Sequence, residues 1–260
     1  MTDADLDNWP TPPFDPDVEP HFLIILTPPC SGSTALAAVI NSSPKSTFLQ
    51  EHGEGQWLIP GLCAKDRWDP EKMVNYDSVR AVWLSAFQFA KRSDSCIEVV
   101  IEKSPPNMVR IAQMLRVFKR VSLLANIRDP YAYCASRLYR NFDVHRLCGD
   151  QRLTMVEGLA LDWIKKGRMI RTLIGEYAIP LVTYEEICRY PQIIKERLRL
   201  PRDFIDSINF DVMVKVKDYP IQGIVSQNSR QLARLSGPEL QSIKSVLDAE
   251  RELVEFFGYG

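Results

Sequence analysis

The chain has 260 residues, of which 45% are hydrophobic and 25% charged, with 32 Lys and Arg against 33 Asp and Glu. That length supports a full hydrophobic core, with one α/β domain as the simplest count, and the composition is that of a soluble globular protein. A net charge of −1 offers none of the broad basic surface that nucleic acid or an anionic membrane demands. The start, MTDADLDNWP, has neither a basic segment nor an apolar core, so it does not read as a signal peptide. No apolar run approaches the length of a membrane span. The six cysteines show no CxxC pair and no metal-ligand spacing with the three histidines, so reduced thiols in a cytoplasmic protein and no metal are expected.

Residues 1–20 combine acidic residues and five prolines with no Lys or Arg. Such a stretch excludes regular helix and predicts an extended or disordered arm, with Trp9 and Phe14 available to dock it. The remaining 21–260 make the α/β domain. The apolar run Phe22-Leu23-Ile24-Ile25-Leu26 suits a strand buried on both faces. A loop of small hydroxyl residues around one glycine follows at Thr27–Thr34, and then the alanine-rich, helical Ala35–Ile40. Strand, small-residue loop and helix together aim backbone N–H groups and a helix N-terminus at an anion; an ordinary capped βα turn has the same outline.

Ser46–Leu49 predicts a short second strand, and residues 56–69 an aromatic loop. From Pro70 to Arg92 the positions Val79, Val82, Trp83, Ala86, Phe87 and Ala90 fall on one helical face. Cys96–Ile101 predicts a third strand, followed by a helix faced by Met108, Ile111, Ala112, Leu115 and Phe118. Val121–Ile127 predicts a fourth strand that runs into Arg128-Asp129-Pro130, where Asp129 suits an N-cap and Pro130 a first helical residue. That helix is expected to reach Arg140, a longer one to cover 152–176, and Pro180–Tyr184 to form a fifth strand. Ser236 with Glu239 makes a capping box for one last helix carrying Leu240, Ile243, Val246, Leu247, Leu253, Val254 and Phe257, which Gly258 ends. The alternation predicts a mostly parallel five-stranded sheet flanked by helices, with ligands at the carboxyl ends of the strands.

Chemistry is therefore expected in the loops 27–34, 102–107 and 128–130. Between Lys103 and Arg140 lie eight basic residues and one acid, Asp129. Arg116, Lys119 and Arg120 suit a solvated helix face. Arg128, ending a buried strand, suits bidentate recognition of a phosphate.

Taken with these features, LTPPCSGSTALAAVINSSP resembles the 5′-phosphosulfate loop, and ANIRDPYAYCASRLYR the 3′-phosphate motif, of the sulfotransferases that use 3′-phosphoadenosine 5′-phosphosulfate. IEKSPPN is similar to a lysine-bearing segment of the carbohydrate and tyrosylprotein branches, LVTYEEICRYP to a common strand–turn segment, and LSGPELQSIKSVL is a weaker echo. The resemblance implies a P-loop-like loop after the first strand and sulfonate transfer to a hydroxyl of a small molecule or carbohydrate, with no metal. It implies that Cys30, Ser31, Gly32, Ser33 and Thr34 hold the 5′-phosphosulfate, and that Arg128 and Ser136 hold the 3′-phosphate. Lys103 is then expected at the sulfonate or the leaving oxygen. Glu51 is expected as the base that deprotonates the acceptor, with His52 as its rival.

The family usually carries Lys or Arg where this chain has Cys30, and a thiol cannot neutralise the transferring group as a cation does. Lys103 and the helix N-terminus, or another basic residue reaching in, must then supply the charge; otherwise the chain binds donor and transfers poorly. The alternatives are a non-catalytic nucleotide-binding protein of the same fold and a nucleotide-dependent kinase, the latter weakened by the absence of GxxxxGK. The acceptor is not legible, though 53–69, 141–152 and 215–230, with Trp57, Trp68, Phe142 and Tyr219, suit a partly apolar pocket. Oligomeric state is not legible either.

Overall fold

The computed structural model describes residues 19–216 and 219–260. The expected arm, with Trp9 and Phe14, lies almost wholly outside the described residues. Its last part is anchored: Glu19 pairs with Arg80 Nη2 at 3.2 Å, and its carbonyl accepts from Arg120 Nη1 at 2.9 Å.

Five strands, β1 (His21–Leu26), β2 (Ser46–Phe48), β3 (Val99–Glu102), β4 (Val121–Ile127) and β5 (Leu181–Thr183), form one sheet in the order β2-β3-β1-β4-β5. β1 and β2 each pair with β3, and β4 pairs with β5, all in parallel. β1 and β3 are buried along nearly their whole length, which is why their sequences read as continuous apolar runs rather than alternating ones. Between and after the strands lie α1 (Ser33–Ile40), α2 (Tyr76–Ser93), α3 (Asn107–Val117), α4 (Pro130–Asn141), α5 (Gly149–Tyr177), α6 (Tyr184–Arg189), α7 (Ile193–Arg197), α8 (Arg202–Asp206), α9 (Asn228–Leu232), α10 (Gly237–Asp248) and α11 (Arg251–Phe256). No helix among the described residues is long and apolar enough to cross a membrane.

Contacts divide the chain into two compact units, each assembled from three separate segments. The first takes the chain through Ile25, then Ala37–Leu123 and Arg199–Val212. Its aromatic centre is Phe22 on β1, Trp83 on α2 and Phe118 after α3, with ring centroids 4.8–6.1 Å apart. The second takes Leu26–Leu36, Leu124–Leu198 and Met213–Gly260. There Trp163 of α5 meets Phe257 edge-on at 5.9 Å.

Several boundaries differ from the sequence reading. α2 begins at Tyr76 rather than Pro70, because the Asn75 side chain accepts from Ser78 N and caps it. On α2 the buried positions include Val79, Trp83, Leu84 and Phe87, while Val82, Ala86 and Ala90 are only half-buried. β3 starts at Val99, after a turn in which the Asp94 side chain accepts from Cys96 N. On α3 it is Met114, not Ala112 or Leu115, that joins Met108 and Ile111 inside. β5 stops at Thr183 because that residue caps α6 in a box with Glu186. The last helix is two. The backbone leaves helical geometry at Glu250 (φ −125°, ψ 33°), whose carbonyl then accepts the first bonds of α11. Gly258 (φ +79°) does end α11, and Tyr259 N closes back on Val254 O, a glycine-terminated cap.

Candidate functional site

In the second unit the chain leaves β1 through Thr27, whose hydroxyl donates to Asn126 Oδ1 of β4 at 3.0 Å. The loop then turns through two left-handed residues, Cys30 (φ +65°) and Gly32 (φ +80°). Between them Ser31 is fully buried, and its hydroxyl has no hydrogen-bond partner among the described residues. α1 starts at Ser33; Ala35 N and Leu36 N bond back to Gly32 O, whereas the N–H groups of Ser33 and Thr34 have no backbone partner among the described residues. A buried hydroxyl left unbonded costs free energy unless something polar arrives, and a helix N-terminus with open N–H groups favours an anion.

Asp129 caps α4 as expected, accepting from Ala132 N at 2.7 Å, with Pro130 opening the helix. This fixes Arg128 at the turn, where it is only 4% exposed. Its Nε and Nη2 donate to Asn228 Oδ1 at 2.9 and 2.7 Å, and its Nη1 donates to Cys30 O at 3.1 Å. Its guanidinium also lies 4.2 Å from the centre of the Tyr184 ring. Asn228 is held in turn: its Nδ2 donates to Glu185 Oε1 at 2.6 Å, and Tyr259 OH donates to Glu185 Oε2 at 2.6 Å. Among the described residues, three of the five guanidinium N–H groups have partners, which leaves two for an anion.

Several of these residues, though not Ser31, line one cleft. Cys30, Gly32, Ser33, Thr34, Arg128 and Ser136 all face it. A further wall of the cleft includes Val214, Val216, Tyr219, Ile224 and Val225, most of them within the stretch 215–230 expected at the acceptor pocket. Tyr184 ties the wall down, with its hydroxyl donating to Val225 O at 3.2 Å and accepting from Gln227 N at 3.0 Å. Burial pushes the Tyr184 hydroxyl well above its usual pKa, so it stays a neutral donor.

The expected catalytic residues lie in the first unit. Glu51 and His52 sit in a 3-10 turn (Glu51–Gly53) and pair with each other at 3.2 Å, with the Glu51 side chain 81% exposed. Lys103 is 2% exposed and donates to Glu54 Oε1 at 2.7 Å. Glu54 was not singled out from the sequence; its signal is the Gly53-Glu54-Gly55 setting. Gly53 (φ +75°) turns the chain there, and its carbonyl accepts from Lys103 N at 2.7 Å. Gly55 N donates to the fully buried Glu102 at 2.7 Å, which also accepts from Ser104 N and Asn107 Nδ2. Burial pushes the Glu54 carboxyl up, but the Lys103 charge and hydrogen bonds from Lys103, Trp57 and Gln56 together hold it below the ordinary carboxylate value.

The sign of the resulting pH dependence is fixed. Glu54 has a depressed folded pKa, so its contribution is full above the ordinary carboxylate value of 4.5 and is lost as pH falls through the folded value. Glu54→Gln is expected to destabilise the chain at pH 7, with the gap to the parent closing as both are acidified below about pH 5. Lys103→Met strands a half-buried carboxylate and is expected to cost about 3 kcal/mol at pH 7. Urea melts across pH 3–7 read both; a gap independent of pH would refute the ion pair.

No family model matches the chain, and no curated protein matches it in sequence. Solved structures do. The sulfotransferase domain of the Synechococcus PCC 7002 olefin synthase is 18% identical, with 92% of this chain and 98% of that one covered and a TM-score of 0.49. The sulfotransferase domain from the curacin biosynthetic pathway is 16% identical over 88% and 98%, with a TM-score of 0.49. Sulfotransferase STF9 from Mycobacterium avium is 13% identical, with 99% and 80% covered and a TM-score of 0.53. With its parallel five-stranded sheet and nearly complete alignment to that last structure, the chain has the sulfotransferase fold.

Proposed function

We propose that the chain is a sulfotransferase that moves the sulfonate of 3′-phosphoadenosine 5′-phosphosulfate onto a hydroxyl of a small molecule or carbohydrate. The observation that carries this reading is a cleft bordered by two features suited to anions: the loop 27–34, with its unbonded buried Ser31 hydroxyl and open helix N–H groups, and the almost fully buried Arg128 at the end of β4. Two anion-binding features on one cleft suit a donor bearing phosphate at both ends. Ser31, Gly32, Ser33 and Thr34 receive the 5′ end by backbone and hydroxyl donors. Arg128 and Ser136 receive the 3′-phosphate, using the two guanidinium N–H groups not already committed.

In the transfer, the acceptor oxygen forms a bond to sulfur while the bond from sulfur to the bridging oxygen breaks. The acceptor proton passes to a carboxylate, and 3′,5′-bisphosphate leaves. Positioning and electrostatics supply the rate. The resemblance implies Lys103 as the cation for the sulfonate or leaving oxygen. Among the candidate bases, Glu54 is paired with Lys103 and held below the ordinary carboxylate value, whereas Glu51 stands in solvent.

The test is calorimetric titration with 3′-phosphoadenosine 5′-phosphate against adenosine 5′-phosphate. Micromolar affinity that depends on the 3′-phosphate is expected. Equal affinity for both, or none for either, would end this reading, and tight binding of ATP with magnesium instead would favour the kinase.

A further inference from the structure

The transferring group is anionic, yet the loop 27–34 contains no Lys or Arg. Among the described residues that line the cleft, the basic ones are Arg128 and Arg140. Arg128 is committed to Asn228, Cys30 O and the Tyr184 ring. Arg140 is placed differently. It lies one turn of α4 beyond Ser136, on the same helix face, and its Nη1 reaches the Cys30 sulfur at 3.6 Å. Among the described residues its side-chain contact is that thiol rather than a carboxylate, and it is exposed at the cleft. A guanidinium with only a thiol for a partner retains nearly all of its donors, and a neighbouring anion would gain charge-assisted bonds at little desolvation cost.

We propose that Arg140 is the cation of the 5′ end: it reaches across Cys30 to contact the 5′-phosphosulfate, supplying from α4 the charge that the loop itself lacks. This rests on the reading of the cleft as a donor site. It divides the two arginines by function, Arg128 toward the 3′-phosphate and Arg140 toward the 5′ end. It also explains why a thiol is tolerated at position 30. Cys30 is small enough to leave the guanidinium room above the loop, and its left-handed backbone already bears the cost of a side chain.

The experiment compares the parent, Arg140→Ala, Arg140→Lys and the double variant Cys30→Arg with Arg140→Ala. Each is titrated with 3′-phosphoadenosine 5′-phosphate, adenosine 5′-phosphate and adenosine 3′-phosphate, with thermal melting alongside. Arg140→Ala is expected to lose at least tenfold in affinity for the two 5′-phosphates and nothing for adenosine 3′-phosphate, at unchanged melting temperature. Arg140→Lys should keep part of the affinity, and Cys30→Arg should restore most of what Arg140→Ala removes. Equal losses for all three nucleotides, or no loss at all, would overturn the assignment of Arg140 while leaving the donor site standing. A parent chain that binds none of them would overturn the donor site, and this inference with it.

Discussion

Gly32→Ala is expected to abolish measurable nucleotide binding and to lower the melting temperature by several degrees. Two costs add. The backbone at position 32 has φ +80°, where an L side chain costs roughly 1–2 kcal/mol. The new Cβ would also stand 2.2 Å from Tyr184 Cδ2 and 2.7 Å from Cε2, an overlap of the kind that costs about 1–3 kcal/mol to relieve. The ring cannot simply swing away. Its hydroxyl is bonded to Val225 O and Gln227 N, and its face carries the Arg128 guanidinium. Moving Tyr184 therefore disturbs the cleft wall and the arginine together, which makes the loss of binding larger than the loss of stability. Gly61 is the control. It has a similar φ of +84° but nothing within 4 Å of a built Cβ, so Gly61→Ala should show only the conformational cost and keep its affinity. Calorimetry on both variants decides the matter; parent-like affinity in Gly32→Ala would show that this loop does not hold the nucleotide.

Arg128→Ala is expected to weaken binding of 3′-phosphoadenosine 5′-phosphate by about 2 kcal/mol or more, the scale of a charge-assisted bidentate contact. Adenosine 5′-phosphate, lacking the 3′ group, should lose far less. The fold should suffer as well, because truncation leaves Asn228 Oδ1 and Cys30 O without their donors. Arg128→Lys separates charge from geometry. An ammonium keeps the charge but cannot span Asn228, Cys30 O and a phosphate at once or stack flat on Tyr184, so it should recover stability more than affinity. Unchanged discrimination between the two nucleotides in Arg128→Ala would remove Arg128 from the 3′-phosphate.

What could be read in advance follows the range of the interactions concerned. β1 announced itself because it is buried and apolar over five consecutive residues, and the Asp129–Pro130 and Ser236–Glu239 caps because a cap is a contact within four residues. The loop 27–34 and Arg128 could be picked out as candidates because they stand where strands end. Glu54 was not, because what distinguishes it from Glu51 is a lysine 49 positions away in the chain. Arg140 looked like one more base on a helix until Cys30, 110 positions earlier, came to lie beside it. Among the described residues of 214–231, the regular structure is the isolated bridge Val214–Gln222 and the short α9, which leaves no periodicity to read. The break at Glu250 has neither proline nor glycine to mark it.

The interleaved make-up of the two units sets the order in which the protein can be completed during synthesis. β1 emerges first yet sits at the middle of the sheet, so it must wait for β3 on one side and β4 on the other. The first unit lacks its closing segment until Arg199–Val212 has emerged, and the second until Met213–Gly260 follows. Every segment of the first unit is therefore made before the last segment of the second. An apolar β1 built for burial therefore stays uncovered until β3 and β4 have been made, the circumstance in which slow, non-local parallel pairing invites aggregation.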